Sequence, residues 1–220
     1  VVDVQGGPGA SFTDIATAMM GRSRGGAAKI AVVASGLFGS ISGTAVANVA
    51  STGVITIPLM RQAGYERKVA GAFEAVASTG GQIMPPIMGA AAFLMSEMLQ
   101  ITYAEVVIAA VIPALLYYFA VFVYADLEAA RKDIAPIPEA MIPPIRRVLK
   151  EGWFFCVPFA VLIYALFSLN RSPEEAALWS AGATLVVSWV FSYKGRRVSL
   201  RDIVDCVRST GENAIDIVII

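Results

Sequence analysis

The chain contains no histidine, and that absence removes whole classes of chemistry. No Ser-His or Cys-His catalytic pair and no histidine-ligated metal can be built from these 220 residues. Cysteine is scarce: Cys156 and Cys206 stand alone, outside any C-x-x-C pair, and read as packing residues. Charge is scarce as well. Charged residues make up 15% of the chain and hydrophobic ones 57%, against about 25% and about 45–50% in soluble domains. Several stretches approach or exceed the roughly 18–20 apolar residues that cross a bilayer, so an integral membrane protein is expected. The 17 basic and 17 acidic residues cancel, and no nucleic-acid partner is expected. An initiator methionine is missing too: the chain opens on Val1 and stops inside the apolar run Ile215–Ile220. A segment of a longer polypeptide is expected, and no signal peptide is visible.

What is present is a pattern of apolar stretches interrupted by glycine, serine and proline. Residues 1–26 read as an interfacial helix, N-capped by Ser11 and ending near Gly21, followed by a cytoplasmic loop. Ala27–Gly39 and Ala45–Met60 are apolar arms of about 13 and 16 residues, short of a full crossing. Between them lies the uncharged "SISGT", Ser40–Thr44. Glu66–Glu97 is long enough to cross, but "GGQIMPP" (Gly80–Pro86) breaks it, because paired glycines and a Pro-Pro step cannot continue a regular helix. Residues 27–103 therefore form one unit of hairpin and broken helix. Residues 104–124 read as a spanning helix and 125–152 as a proline-rich cytoplasmic arm with an interfacial helix from Ile145. Residues 153–198 hold two more spans, and 199–220 begin a further amphipathic set.

Lysine and arginine test this topology. They cluster at Arg22–Lys29, Arg61–Lys68, Arg131–Lys150 and Lys194–Arg201, with Arg208 just beyond and Arg171 alone elsewhere. If the two arms enter and leave on one face, every cluster falls on the cytoplasmic side. Counting 27–60 as one full crossing puts Arg22–Lys29 opposite the rest. A re-entrant hairpin is expected.

A non-helical tip at membrane depth must be buried in protein or line a watery cavity. Free carbonyls end its first arm and free N–H groups begin its second, so one tip offers oxygens to a cation and donors to an anion. Ser42, Gly43, Thr44 and Asn48 sit at this tip, and Asn48, Thr52 and Thr56 continue a stripe at four-residue spacing. Thr52 and Thr56 alone read as helix–helix contacts. A second break repeats the pattern at Gly80, Gly81 and Gln82, where Pro85 and Pro86 suit the first turn of the next half-helix. Glu74, at four-residue spacing from Ser78 and Gln82, is an ionisable residue inside a span. Two readings stand: a proton-coupling group, or a carboxylate in a wet vestibule.

"GSISGTAVANVASTG" together with "EAVASTGGQIMPPIMGAAAF" resembles the large permease subunit of TRAP transporters, and more closely the form with small and large subunits fused, paired with TAXI-type binding proteins. The resemblance is strongest from Gly25 to about Asp133. It implies an all-α polytopic elevator-type transporter of the bacterial inner membrane, not an enzyme, built from inverted repeats. Residues 27–103 are then part of the transport domain, and 199–220 the truncated start of the second repeat. A periplasmic binding protein would deliver a carboxylate such as a C4-dicarboxylate or a glutamate-like acid. The resemblance assigns Ser42, Gly43, Gly80, Gly81 and Gln82 to ion binding and Ser42, Thr44 and Asn48 to substrate. It implies no cofactor and no metal beyond sodium. Large subunits without the fusion often carry a small residue where Glu74 stands, so Na+ and H+ both stay open as the coupling ion. The rival readings are a re-entrant-loop channel and a structural subunit whose glycines only permit close packing.

Overall fold

The computed structural model describes residues 8–152, 156–169, 171 and 173–190. The helices are α1 (Pro8–Met20), α2 (Gly26–Ser42), α3 (Ala45–Gln62), α4 (Arg67–Gly80), α5 (Ala90–Leu99), α6 (Tyr103–Arg131), α7 (Ile145–Gly152), α8 (Cys156–Phe167) and α9 (Pro173–Val190). A 3-10 turn, Glu139–Met141, interrupts the loop before α7. No strand occurs among the described residues. The amphipathic set expected over 199–220, Cys206 and the end of the second later span lie outside the described residues.

Local chemistry explains the boundaries. Gly43 ends α2 in the left-handed region (φ 62°), donating its N–H to Gly39 O at 3.0 Å, a conformation that favours glycine. Thr44 is extended and caps α3, its Oγ1 accepting from the Ala47 N–H at 3.3 Å. Those two residues alone reverse the chain between α2 and α3. Thr102 and Glu105 form a reciprocal capping box at the start of α6. Three boundaries depart from expectation. The first helix starts at Pro8, a residue suited to a first turn, so Ser11 lies inside it. Helix α6 runs on to Arg131, making the start of the expected cytoplasmic arm helical. Pro85 and Pro86 stay in a non-helical segment, and α5 begins only at Ala90.

Helix α2 is the hub, packed by α1, α3, α4 and α6. Its small residues Ala27, Ala28, Ala31 and Ala34 are buried with Ile30, which lets neighbouring backbones approach closely. A second apolar cluster joins α6 to α8 and α9 through Val106, Val107, Leu162, Leu166 and Ala176. Helix α6 is long and apolar enough to cross a membrane, yet only 17% of its apolar window is buried. Ile112 and Phe119 are 68% and 66% exposed on it. A soluble protein's core helix would hide this surface.

Ion pairs gather three of the basic clusters at one end. Asp126 of α6 takes Lys29 of α2 at 2.6 Å and also bonds Arg24. Glu66, before α4, takes Lys132 at 3.0 Å, and Arg22 lies 3.7 Å from Glu139. The hydrogen bond and charge of Lys132, then the charge of Lys68, hold the Glu66 carboxyl below the usual carboxylate range. Arg171 stands apart in the α8–α9 loop, paired with Glu175 at 3.4 Å.

Candidate functional site

The two breaks meet. Gly39 and Gly81 touch backbone to backbone: a Cβ on Gly39 would fall 2.4 Å from the Gly81 Cα, and one on Gly81 would fall 2.8 Å from the Gly39 Cα. The Ile87 N–H donates to Ser40 O at 3.2 Å, and the Gly89 N–H donates to Gln82 O at 2.8 Å. Gly43 is wedged against the same segment, where a Cβ would lie 2.8 Å from both Ile87 O and Met88 O. The hairpin tip thus docks on residues 81–89 through main chain, with glycine wherever a side chain would intrude.

Around this joint the expected site residues separate into two sets. Ser42 is half-buried, and Thr44 and Gln82 are exposed. The Ser42 Oγ is 3.4 Å from Thr44 O. Gly43, Gly80, Gly81 and Asn48 are buried. Asn48 faces inward: its Nδ2 donates to Ser35 O at 2.8 Å and packs against Gly39 and Gly81.

Tyrosines of α6 complete the cradle, and the sequence reading missed them. Tyr103 Oη donates to Pro86 O at 2.9 Å and accepts from the Met88 N–H at 3.3 Å. Tyr117 Oη donates to Val76 O at 2.7 Å and Tyr118 Oη to Ala77 O at 3.0 Å, near the end of α4. Gly80 lies against both rings; a Cβ there would meet Tyr117 Cε1 at 2.5 Å. Two adjacent tyrosines in an apolar helix were the available signal, since buried phenols seek hydrogen-bond partners.

Below the joint is a second polar cluster. Glu74 is fully buried, as are Ser35, Asn48, Thr52, Thr56 and Ser78. Thr52 Oγ1 lies 2.5 Å from Glu74 Oε1, with Ser78 Oγ at 3.2 Å and Ser35 Oγ at 3.4 Å from the same oxygen. Thr56 Oγ1 bonds Glu74 Oε2. Among the described residues no cation contacts this carboxyl. Glu74 is enclosed in this packing and opens on no vestibule, and Thr52 and Thr56 join α3 to α4 through it, the helix–helix contact their spacing announced.

Described residues that are helical throughout, with one long, exposed apolar helix, are consistent with a helical membrane protein. Within that class, the chain is a member of the family described as the tripartite ATP-independent periplasmic transporter, DctM component, which it matches over residues 2–220. It is 29% identical to the ectoine/5-hydroxyectoine TRAP transporter large permease protein UehC of Ruegeria pomeroyi, over 90% of this chain and 45% of that protein. It is 27% identical to the C4-dicarboxylate TRAP transporter large permease protein DctM of Pseudomonas aeruginosa, over 88% and 45% respectively. With the isethionate TRAP transporter permease protein DctMQ of Oleidesulfovibrio alaskensis it shares 26% identity over 97% of this chain and 33% of that one. The chain therefore spans less than half the length of these relatives. Proteins of this family are transporters, not enzymes.

Proposed function

We infer that this chain is part of the transport domain of a permease that imports a small organic acid, driven by a sodium or proton gradient across the bacterial inner membrane. The observation that carries the reading is the backbone joint between the two helix breaks, Gly39 against Gly81. At such a joint the carbonyls ending α2 and α4 can face a coupling cation, and the first N–H groups of α3 can face an anion. Ser42, Gly43, Gly80, Gly81 and Gln82 are assigned to the ion, and Ser42 and Thr44 to the substrate. Asn48 acts from behind, holding the joint through Ser35 and the two glycines. The relatives' names include ectoine, C4-dicarboxylates and isethionate, organic acids that each carry an anionic group. A carboxylate such as a C4-dicarboxylate or a glutamate-like acid fits that range.

Delivery by a periplasmic binding protein of the TAXI type, fusion to a small subunit, and an elevator movement of the hairpin unit complete the proposal. The test uses the full-length permease in proteoliposomes with its binding protein and labelled succinate. Uptake is expected only under an imposed sodium or pH gradient. It is expected to fall at least about ten-fold in Ser42→Ala and Gln82→Ala, the loss of about 1.4 kcal/mol of coupling, with unfolding temperature unchanged. Uptake that needs neither gradient favours a channel. Variants that lose stability and keep uptake favour a structural subunit.

A further inference from the structure

The Glu74 cluster lies apart from the exposed side chains of the joint and has its own chemistry. Each surrounding hydroxyl carries one hydrogen and two lone pairs, and several have two acceptors within reach. Thr52 Oγ1 is 2.9 Å from Asn48 O as well as 2.5 Å from Glu74 Oε1. Thr56 Oγ1 is 3.0 Å from Thr52 O besides its bond to Oε2. Ser35 Oγ is 3.3 Å from Thr52 Oγ1 and 3.4 Å from Oε1.

Two complete hydrogen-bond patterns follow. In the first, Thr52, Ser78 and Ser35 donate to Oε1 and Thr56 donates to Oε2, which satisfies an ionised carboxylate. In the second, a protonated Oε1 donates to Thr52 Oγ1, which turns its own hydrogen onto Asn48 O. Ser35 donates to Thr52 Oγ1, Ser78 still donates to Oε1, and Thr56 still donates to Oε2. The two patterns differ by one proton and by hydroxyl rotations, with no heavy atom displaced.

We propose that Glu74, ringed by Ser35, Thr52, Thr56 and Ser78, is a site that binds and releases one proton during transport. The proposal rests on the transport reading above and adds an ion and an address for it. Direct contacts leave no room for a metal ion: the threonine hydroxyls touch the carboxyl oxygens, and a Cβ on Gly53 would sit 3.2 Å from Glu74 Cγ. The groups around the site are neutral. Helices α2 and α3 present hydroxyls, an amide and a glycine. Lys29 of α2 is held by Asp126, and α6 brings the phenols of Tyr117 and Tyr118 to the neighbouring carbonyls. Helix α1, packed on α2 and α3, contributes the half-buried Asp14 as its one titratable side chain. Protonation of Glu74 therefore changes the local charge by one, with no ion pair to be broken.

The experiment pairs two readouts on the full-length permease. Infrared difference spectra across a pH titration are expected to show a carboxylic-acid carbonyl band that disappears with rising pH and is missing in Glu74→Gln. Proteoliposomes are expected to lose pH-gradient-driven succinate uptake at least about ten-fold in Glu74→Gln, while exchange of internal for external succinate, which needs no net proton, persists. Uptake under a pH gradient that survives Glu74→Gln, or a band unchanged by it, overturns the proposal. Thr56→Val covers the case in which Glu74→Gln does not fold. It removes the hydroxyl that donates to Oε2 and is expected to move the carboxylic-acid carbonyl band to higher frequency; an unmoved band overturns the proposal. Succinate exchange absent even from the wild type defeats the transport reading instead, and the band, which needs no solute, still decides the proton site.

Discussion

Glycine at the joint is a question of tenths of an ångström, and position decides its consequence. A methyl on Gly39 would strike the Gly81 backbone, which cannot swing aside as a side chain could. Gly39→Ala is expected to destabilise the protein by about 1–3 kcal/mol, as overpacking does, and to abolish uptake. Gly71, inside α4, has open space where a methyl would go, with nothing within 4 Å. Gly71→Ala is expected to be neutral or to stabilise by about 0.5–1 kcal/mol through helix propensity. Thermal unfolding of both variants in one detergent checks the contrast. Tyr103→Phe leaves Pro86 O and the Met88 N–H without their buried partner and is expected to cost about 1–3 kcal/mol in the same assay. Sequence reasoning reached Gly80 and Gly81, because a glycine pair beside proline announces a break, and took Gly39 only as the end of an arm. It did not reach Ser35. That residue lies on α2, and its contact with Glu74 depends on the register between helices, which no single-helix periodicity contains.

At the scale of elements, the two breaks and the arms around them were legible, because helix termination is local chemistry. Gly43 and Thr44 end one helix and cap the next whatever surrounds them. The start of α5 was not legible. Pro85 and Pro86 suit a helix's first turn, but Tyr103 claims the Pro86 carbonyl and the Met88 N–H, delaying the helix to Ala90. The Thr52–Thr56 stripe was seen as a contact face, and its partner emerged only when α3 lay against α4. Ion pairing ties elements in a pH-dependent way. The Glu66 carboxyl is held below its ordinary range by Lys132, so its stabilising contribution is present above the ordinary carboxylate range and is lost as pH falls through the lowered value. Glu66→Gln is therefore expected to unfold earlier than wild type at neutral pH and to match it at strongly acid pH. Unfolding midpoints measured across an acid titration test this sign.

For the whole molecule, orientation is the quantity to establish. Three basic clusters meet at one end through Asp126, Glu66 and Glu139, and positive charge marks the cytoplasmic side. With Cys156 and Cys206 replaced by serine, Gln62→Cys and Lys132→Cys are expected to react with a membrane-impermeant thiol reagent from the cytoplasmic side alone. Ile112→Cys, on the apolar face of α6, is expected to stay unlabelled from either side. Labelling of Arg22→Cys and Gln62→Cys from opposite sides would contradict a re-entrant hairpin.

The meeting of Gly39 and Gly81 also limits how the protein can move. Flexible side chains let two surfaces slide by exchanging rotamers, like bristles in a brush. Here the contact is main chain on main chain, stitched by the Ile87 bond to Ser40 and pinned behind by Asn48, with no bristles to bend. Such a seam either holds or parts. If it holds through the cycle, hairpin and broken helix travel as one block, and any sliding against α6 has to break the phenol bonds of Tyr103, Tyr117 and Tyr118 and the Asp126 ion pairs.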